Sequence, residues 1–286
     1  MKRLLLALAA ACTTPHTSSI PPTKEPIMSY ADINGLHLYY EIHGSGEPLI
    51  MLHGALNSTA EFGPTLDALA ADRQVIAVDL QAHGRTADID RPMTVEAMAD
   101  DIAALIDHLK LGKADVMGYS LGGSVALQTG IRHADKVRRL VLVSTVFARA
   151  DWFPEVRIGM EHLGPALAEM MKPSPAYQTY AKVAPRPDFA GLLGRIGTLV
   201  RQDFDWSGQL AHLPPTLLVV GDADGIDPVR LVGMWRALGG GLRDPGWDGS
   251  GGRSASQLAI LPGVTHYDMP TTPALAPTVA RFLATR

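Results

Sequence analysis

Residues 116–123 read Val116-Met117-Gly118-Tyr119-Ser120-Leu121-Gly122-Gly123, and this stretch decides the fold. The Gly-x-Ser-x-Gly spacing has a steric reason. A serine lifted on so tight a turn carries a strained backbone, and glycines two positions away on each side keep side chains clear of it. Upstream, Ala114-Asp115-Val116-Met117 is a short, mostly apolar run, while Gly122-Gly123-Ser124-Val125-Ala126-Leu127 downstream opens a helix of small residues. A strand-turn-helix elbow of this kind leaves the Ser120 hydroxyl standing clear. It also aims the next backbone N–H at the same space.

The same strand-then-helix alternation extends outward from the elbow. Pro48-Leu49-Ile50-Met51-Leu52 is a continuous apolar run, as expected of a strand covered on both faces, and it ends at His53-Gly54-Ala55. A helical stretch is expected around Thr59–Ala71. Gln74–Asp79 reads as a second buried strand, closing on the turn Leu80–Thr86. Thr94 is placed to cap a helix whose apolar face is Val95, Met98, Ile102, Leu105, Ile106 and Leu109, three and four apart. Ahead of all this, Tyr30–Ile42 alternates around Asn34-Gly35, a hairpin signal.

Beyond the elbow, Arg139–Ser144 and Thr216–Val220 read as strands, the latter ending in Gly221-Asp222-Ala223-Asp224-Gly225. Asp227-Pro228 is an N-cap followed by proline at the first helical position, so Asp227 is assigned a structural role. Residues 239–252 form a glycine-rich loop. A last strand, Gln257–Leu261, leads to Pro262-Gly263-Val264-Thr265-His266, and a terminal helix begins near Thr272-Pro273. Unbroken apolar strands alternating with helices call for an α/β fold with a mostly parallel sheet flanked by helices. The alternation breaks between 146 and 213, where aromatics, methionines and prolines concentrate. Most of these side chains are expected to form a local helical core. A minority would line an apolar pocket under a helical lid inserted between two late strands.

The 286 residues, 47% hydrophobic and 19% charged with a net charge of −4, suit one large domain carrying an insertion. No basic run or face appears, which argues against nucleic acid or an anionic membrane as partner. At the start, Lys2-Arg3 precedes an apolar run from Leu4 to Ala11 and then Cys12, the one cysteine. This is the pattern of an export signal, and about eight apolar residues are too few to span a bilayer, which needs roughly 20. Ala9-Ala10-Ala11-Cys12 resembles a bacterial lipoprotein cleavage box, with alanine where leucine is usual three places before the cysteine. Thr13–Pro26, rich in Thr, Ser and Pro, reads as a disordered tether. The expected organisation is therefore a leader and tether over 1–29, a core over 30–145 and 214–286, and a lid over 146–213. The protein would be exported, periplasmic or held to a membrane through a lipid at Cys12. A true start at Met28 would make it cytoplasmic instead. Oligomeric state is not legible.

The elbow, His53-Gly54, Gly221-Asp222-Ala223-Asp224 and Gly263-Val264-Thr265-His266-Tyr267 together resemble the α/β-hydrolase superfamily, from about Tyr30 to Arg286 outside the insertion. The order Ser, Asp, His along the chain is that fold's order. The likeness is to its small esterases, enol-lactonases and cofactor-free haloperoxidase-like members. Their Asp-x-x-Gly-His-Gly-x-[Ser/Thr] motif matches Asp79–Thr86 loosely, one residue longer here.

The chemistry follows from the residue types. Ser120 is a weak nucleophile and needs a base within hydrogen-bond reach. Of ten histidines, His266 follows the final strand on the same sheet edge as the elbow and is the candidate base. His53 is expected to hold the neighbouring loop, His83 to serve its own turn, and the remaining seven to be solvated or satisfied locally. A third group must fix the imidazole tautomer. The resemblance favours Asp224 for this over Asp222, which is left to hydrogen-bond its turn. The oxyanion donors implied are the N–H groups of Leu121 and Ala55, with Gly54, Gly118 and Gly122 in support. No His-Glu-x-x-His, Cys/His cluster or Gly-x-x-x-x-Gly-Lys-[Ser/Thr] occurs, so neither metal nor cofactor is expected. Serine at the elbow disfavours the haloalkane dehalogenase and epoxide hydrolase chemistries of this superfamily, which use an aspartate nucleophile. The expectation is a serine hydrolase acting on a small-molecule ester or lactone through an acyl-enzyme. Carbon–carbon bond hydrolysis or peracid formation at the same residues is the alternative, with a non-catalytic binding protein as the rival from another class.

Overall fold

Asn34 and Gly35 adopt φ of +49° and +83°, and this left-handed pair folds β1 (Ile27–Ile33) back onto β2 (Leu36–His43). The turn twist matches that of the strands it joins, which is why Asn-Gly is favoured there. The computed structural model describes residues 25–285. The expected leader and most of the tether, including Lys2, Arg3 and Cys12, lie outside the described residues. The boundary expected at Tyr30 is corrected to Ile27, because Ile27, Met28 and Ser29 pair with Ile42, Glu41 and Tyr40.

The remaining strands are β3 (Glu47–Leu52), β4 (Arg73–Val78), β5 (Ala114–Tyr119), β6 (Val137–Val143), β7 (Thr216–Ala223) and β8 (Gln257–Thr265). They form one eight-stranded sheet in the order β1-β2-β4-β3-β5-β6-β7-β8. β1 and β2 are antiparallel to their neighbours, and β3 to β8 run parallel. Helices connect them: α1 (Pro64–Ala70), α2 (Val95–His108), α3 (Leu121–Arg132), α4 (Pro154–Glu161), α5 (Ala168–Met171), α6 (Pro175–Val183), α7 (Phe189–Arg201), α8 (Pro228–Ala237) and α9 (Leu275–Leu283).

The unbroken apolar strands are explained by what covers them. Ile50, Leu52, Val116, Leu140 and Leu218 point to the face carrying α2, α3 and α8. Leu49, Met51, Met117, Val141 and Leu217 point to the opposite face, against α1 and α9. Both faces are buried, so successive residues are apolar although they alternate sides.

Thr94 caps α2 as its sequence suggests, its Oγ1 accepting the Ala97 N–H at 3.1 Å. Thr94→Ala is expected to cost about 1 kcal/mol, read as a lower denaturant midpoint at unchanged slope. Asp227 caps α8 in the same way, through the Val229 N–H at 2.8 Å. The segment expected as a lid lies between β6 and β7 and holds α4 to α7. Tyr180, Phe189 and Trp206 are buried in it, whereas Met170 is exposed. β8 runs four residues past the expected Leu261. Gly263, at φ +70°, bulges out where the pairing with β7 shifts register. α9 begins at Leu275, and a short helical turn, Met269–Thr271, precedes it.

Candidate active site

The C-terminal ends of β3, β5, β7 and β8 share one edge of the sheet, and each carries one part of the site. Ser120, directly after β5, sits at φ +53° and ψ −114°. A non-glycine residue held there stores on the order of 1–3 kcal/mol of strain. Its N–H donates to Val143 O at 2.9 Å, and the Gly122 N–H donates to His53 O at 3.1 Å, so neighbours on both sides hold the turn. The flanking glycines are required by close backbone approach. A Cβ at Gly118 would lie 2.0 Å from the Gly122 carbonyl oxygen, and one at Gly122 would lie 2.3 Å from that of Leu52.

His266, one residue past β8, reaches Ser120 Oγ through Nε2 at 3.1 Å. Its Nδ1 lies 2.9 Å from Asp224 Oδ1. A carboxylate only accepts, so Nδ1 carries the proton and Nε2 is left as the acceptor for the serine hydroxyl. The structure thus brings together the three side chains that the sequence singled out. Asp224 is buried, yet both of its oxygens are engaged. Oδ1 also accepts the Gly225 N–H at 2.6 Å, and Oδ2 accepts the Ser144 hydroxyl at 2.6 Å. Asp222 does something other than expected. Its Oδ1 accepts the Gly263 N–H at 2.7 Å, tying down the β8 bulge that precedes His266 rather than its own turn.

The loop after β3 faces the elbow. His53 Nε2 accepts the Leu80 N–H at 3.1 Å, so its Nδ1–H donates to Gly54 O at 2.7 Å. Burial pushes His53 down to about 3, which keeps the ring neutral in this role. His83 serves its own turn, Nδ1 donating to Gln81 O at 2.8 Å. The N–H groups of Ala55 and Leu121 have no hydrogen-bond partner among the described residues. Leu121 follows Ser120 at the start of α3, and Ala55 lies on the loop after β3, whose His53 O is bonded to the Gly122 N–H. A serine–imidazole–carboxylate chain followed directly by a free amide makes an arrangement suited to attack on a carbonyl carbon.

Several contributors were not singled out by sequence. Ser144, the residue after β6, sits at φ +50° and is fully buried against Asp224. As the last polar residue of an apolar run it resembled an ordinary strand end. The Tyr119 hydroxyl donates to His266 O at 2.8 Å and so steadies the loop that carries the imidazole. Trp152, counted only among the aromatics of the insertion, meets the His266 ring edge-on at 5.5 Å between centroids. It is held there because Trp152 bridges Ile226 and the Phe153 N–H donates to Gly225 O at 3.0 Å. Glu61 accepts the Gly54 N–H at 2.5 Å from within a stretch expected only to be helical.

Residues 47–172 match the family described as alpha/beta hydrolase fold. The chain is 36% identical over 210 residues to a pimeloyl-[acyl-carrier protein] methyl ester esterase of Neisseria meningitidis serogroup C, covering 63% of this chain and 77% of that one. It is 39% identical over 130 residues to a soluble epoxide hydrolase of Corynebacterium sp. strain C12, covering 43% and 44%. The chain spans about half the length of the first curated relatives it matches. Among solved structures it is similar to the enol-lactonase of Burkholderia xenovorans LB400, at a TM-score of 0.68 and 22% identity over 90% of this chain and all of that one. That likeness bears on the fold alone.

Proposed function

The chain belongs to the alpha/beta hydrolase fold family, and from that premise we propose that it is a serine hydrolase cleaving a carboxylic ester or lactone through an acyl-enzyme. The observation that carries this reading is the unbroken hydrogen-bond chain from Ser120 Oγ through His266 to Asp224 at a strained elbow. His266 Nε2 takes the hydroxyl proton as Oγ bonds to the substrate carbonyl carbon, and Asp224 stabilises the imidazolium that results. Negative charge on the carbonyl oxygen falls between the Ala55 and Leu121 amides, each such donor contributing roughly 3 kcal/mol at the transition state. The imidazolium protonates the departing alkoxide. A water, deprotonated by the same Nε2, then attacks the acyl-enzyme and restores the free serine.

The insertion sets the substrate in this reading, since Trp152 places it against the imidazole. The named esterase relative supports ester chemistry, and serine at the elbow separates this chain from the aspartate-nucleophile chemistry described above.

The test is treatment with a fluorophosphonate and with short- and long-chain aryl esters, alongside Ser120→Ala. Covalent labelling and ester turnover in the native protein are expected, with both reduced by about 10⁴-fold or more in the variant. Labelling without ester turnover would redirect the assignment to carbon–carbon or peracid chemistry at the same residues. Absence of labelling would sink the nucleophile.

A further inference from the structure

The carboxyl group of Glu61 lies behind the loop that presents the Ala55 amide. Its Oε2 accepts the Gly54 N–H at 2.5 Å, and its Oε1 accepts the Asn57 side-chain N–H at 2.6 Å. The two contacts bracket residues 54–57, so a single acid fixes both ends of the turn containing the oxyanion donor. The ring of Tyr119 packs against Gly54, near enough that a Cβ there would meet it at 2.7 Å.

We propose that Glu61 is a positioning residue for the oxyanion loop. In this role its ionised form holds the Gly54–Asn57 turn so that the Ala55 N–H points at the substrate oxygen. The inference rests on the acyl-enzyme reading above and adds a second ionisation to it. A carboxylate accepts at both oxygens, whereas the protonated acid gives up one acceptor and releases one end of the turn.

The surroundings decide when this happens. Burial pushes Glu61 up to about 7, against the opposing pull of the Gly54 and Asn57 donors. The Tyr119 phenol, from β5, is the ionisable group that senses this charge, and its own burial keeps it neutral. The packed turn Met269–Thr271 contributes no ionisable side chain, and Asp268 before it is bound to Thr265 Oγ1 at 2.5 Å. Asp79 and Glu41 engage Thr59 at the far end of the same helical turn.

The experiment is the rate of fluorophosphonate labelling of the full chain from pH 5 to 9, with circular dichroism at each pH. Native protein, Glu61→Gln and Glu61→Ala are compared. Between pH 8 and pH 5 the native rate is expected to fall about 10-fold further than that of either variant, because only the native protein loses the Glu61 carboxylate over this range. Glu61→Gln, neutral like the protonated acid, keeps an acceptor for Gly54 but gives up the one for Asn57, so it should label about 10-fold more slowly than native at pH 8 and approach the native rate at pH 5. Glu61→Ala should label about 10- to 100-fold more slowly at pH 8. A native-to-Gln rate ratio that is the same at pH 5 and pH 8, or native-rate labelling of Glu61→Gln or Glu61→Ala at pH 8, would overturn the inference. Should Glu61→Ala fail to fold, the native-to-Gln ratio decides alone. Native protein that labels at no pH would overturn the acyl-enzyme reading itself, and this inference with it.

Discussion

Asp224→Ala is expected to lower kcat by about four orders of magnitude, and Asp224→Asn by only about two to three. The difference comes from what surrounds the carboxylate. An asparagine at this position usually permits the wrong imidazole tautomer, because its NH₂ can turn toward the histidine. Here the Gly225 N–H, 2.6 Å from Oδ1, demands an acceptor on the side that also faces His266. The Ser144 hydroxyl, 2.6 Å from Oδ2, is free to rotate and accept instead of donate. The amide should therefore lie with its oxygen toward the imidazole and its nitrogen toward Ser144. Nδ1–H is retained as donor and only the charge opposite the imidazolium is lost. Alanine removes the acceptor and also strands the part-buried Gly225 N–H and the buried Ser144 hydroxyl, the latter at about 1–3 kcal/mol, so its melting temperature should fall as well. Aryl-ester kcat for the two variants, taken with their melting curves, checks this. Equal losses in both would mean that the network does not orient the amide.

Gly118→Ala is expected to destabilise the protein by more than about 4 kcal/mol, beyond the usual range for overpacking. The added Cβ would sit 2.0 Å from Gly122 O and 2.6 Å from Gly123 N. These are backbone atoms of the elbow itself, with no flexible side chain to move aside. The control is Gly159→Ala on exposed α4, where a Cβ meets nothing within 4 Å. That change should raise stability by about 0.5–1 kcal/mol, since alanine restricts the unfolded chain and favours helix. Denaturant midpoints for the pair provide the measurement. A Gly118→Ala variant within 1 kcal/mol of native would show that the turn relaxes.

What could be read in advance was local. The glycine spacing at 118–122, the Asn34-Gly35 turn and the Thr94 cap each act within a few residues, and all three have the expected geometry. The parallel sheet was legible because strands buried on both faces have no polar side to hide. Long-range contacts left no such trace. Nothing in Val143-Ser144-Thr145 signals that Ser144 takes φ +50° and meets a side chain 80 positions away. Asp222 could not reveal that its partner is Gly263, nor Glu61 that it closes back on Gly54. β1 began early because its first residues are defined by pairing with Tyr40–Ile42 rather than by their own pattern.

The stitching of Asp151–Phe153 onto residues 225–227 has a practical consequence for exchanging the insertion between β6 and β7. The Asp227 N–H donates to Asp151 O at 3.0 Å, next to the Phe153–Gly225 bond. A chimera whose upstream junction falls at Val146 would replace that seam along with the rest of the insertion and unmoor the carboxylate's turn. Moving the splice to just after Phe153 exchanges α4 to α7 and leaves the Asp224 turn on its native footing.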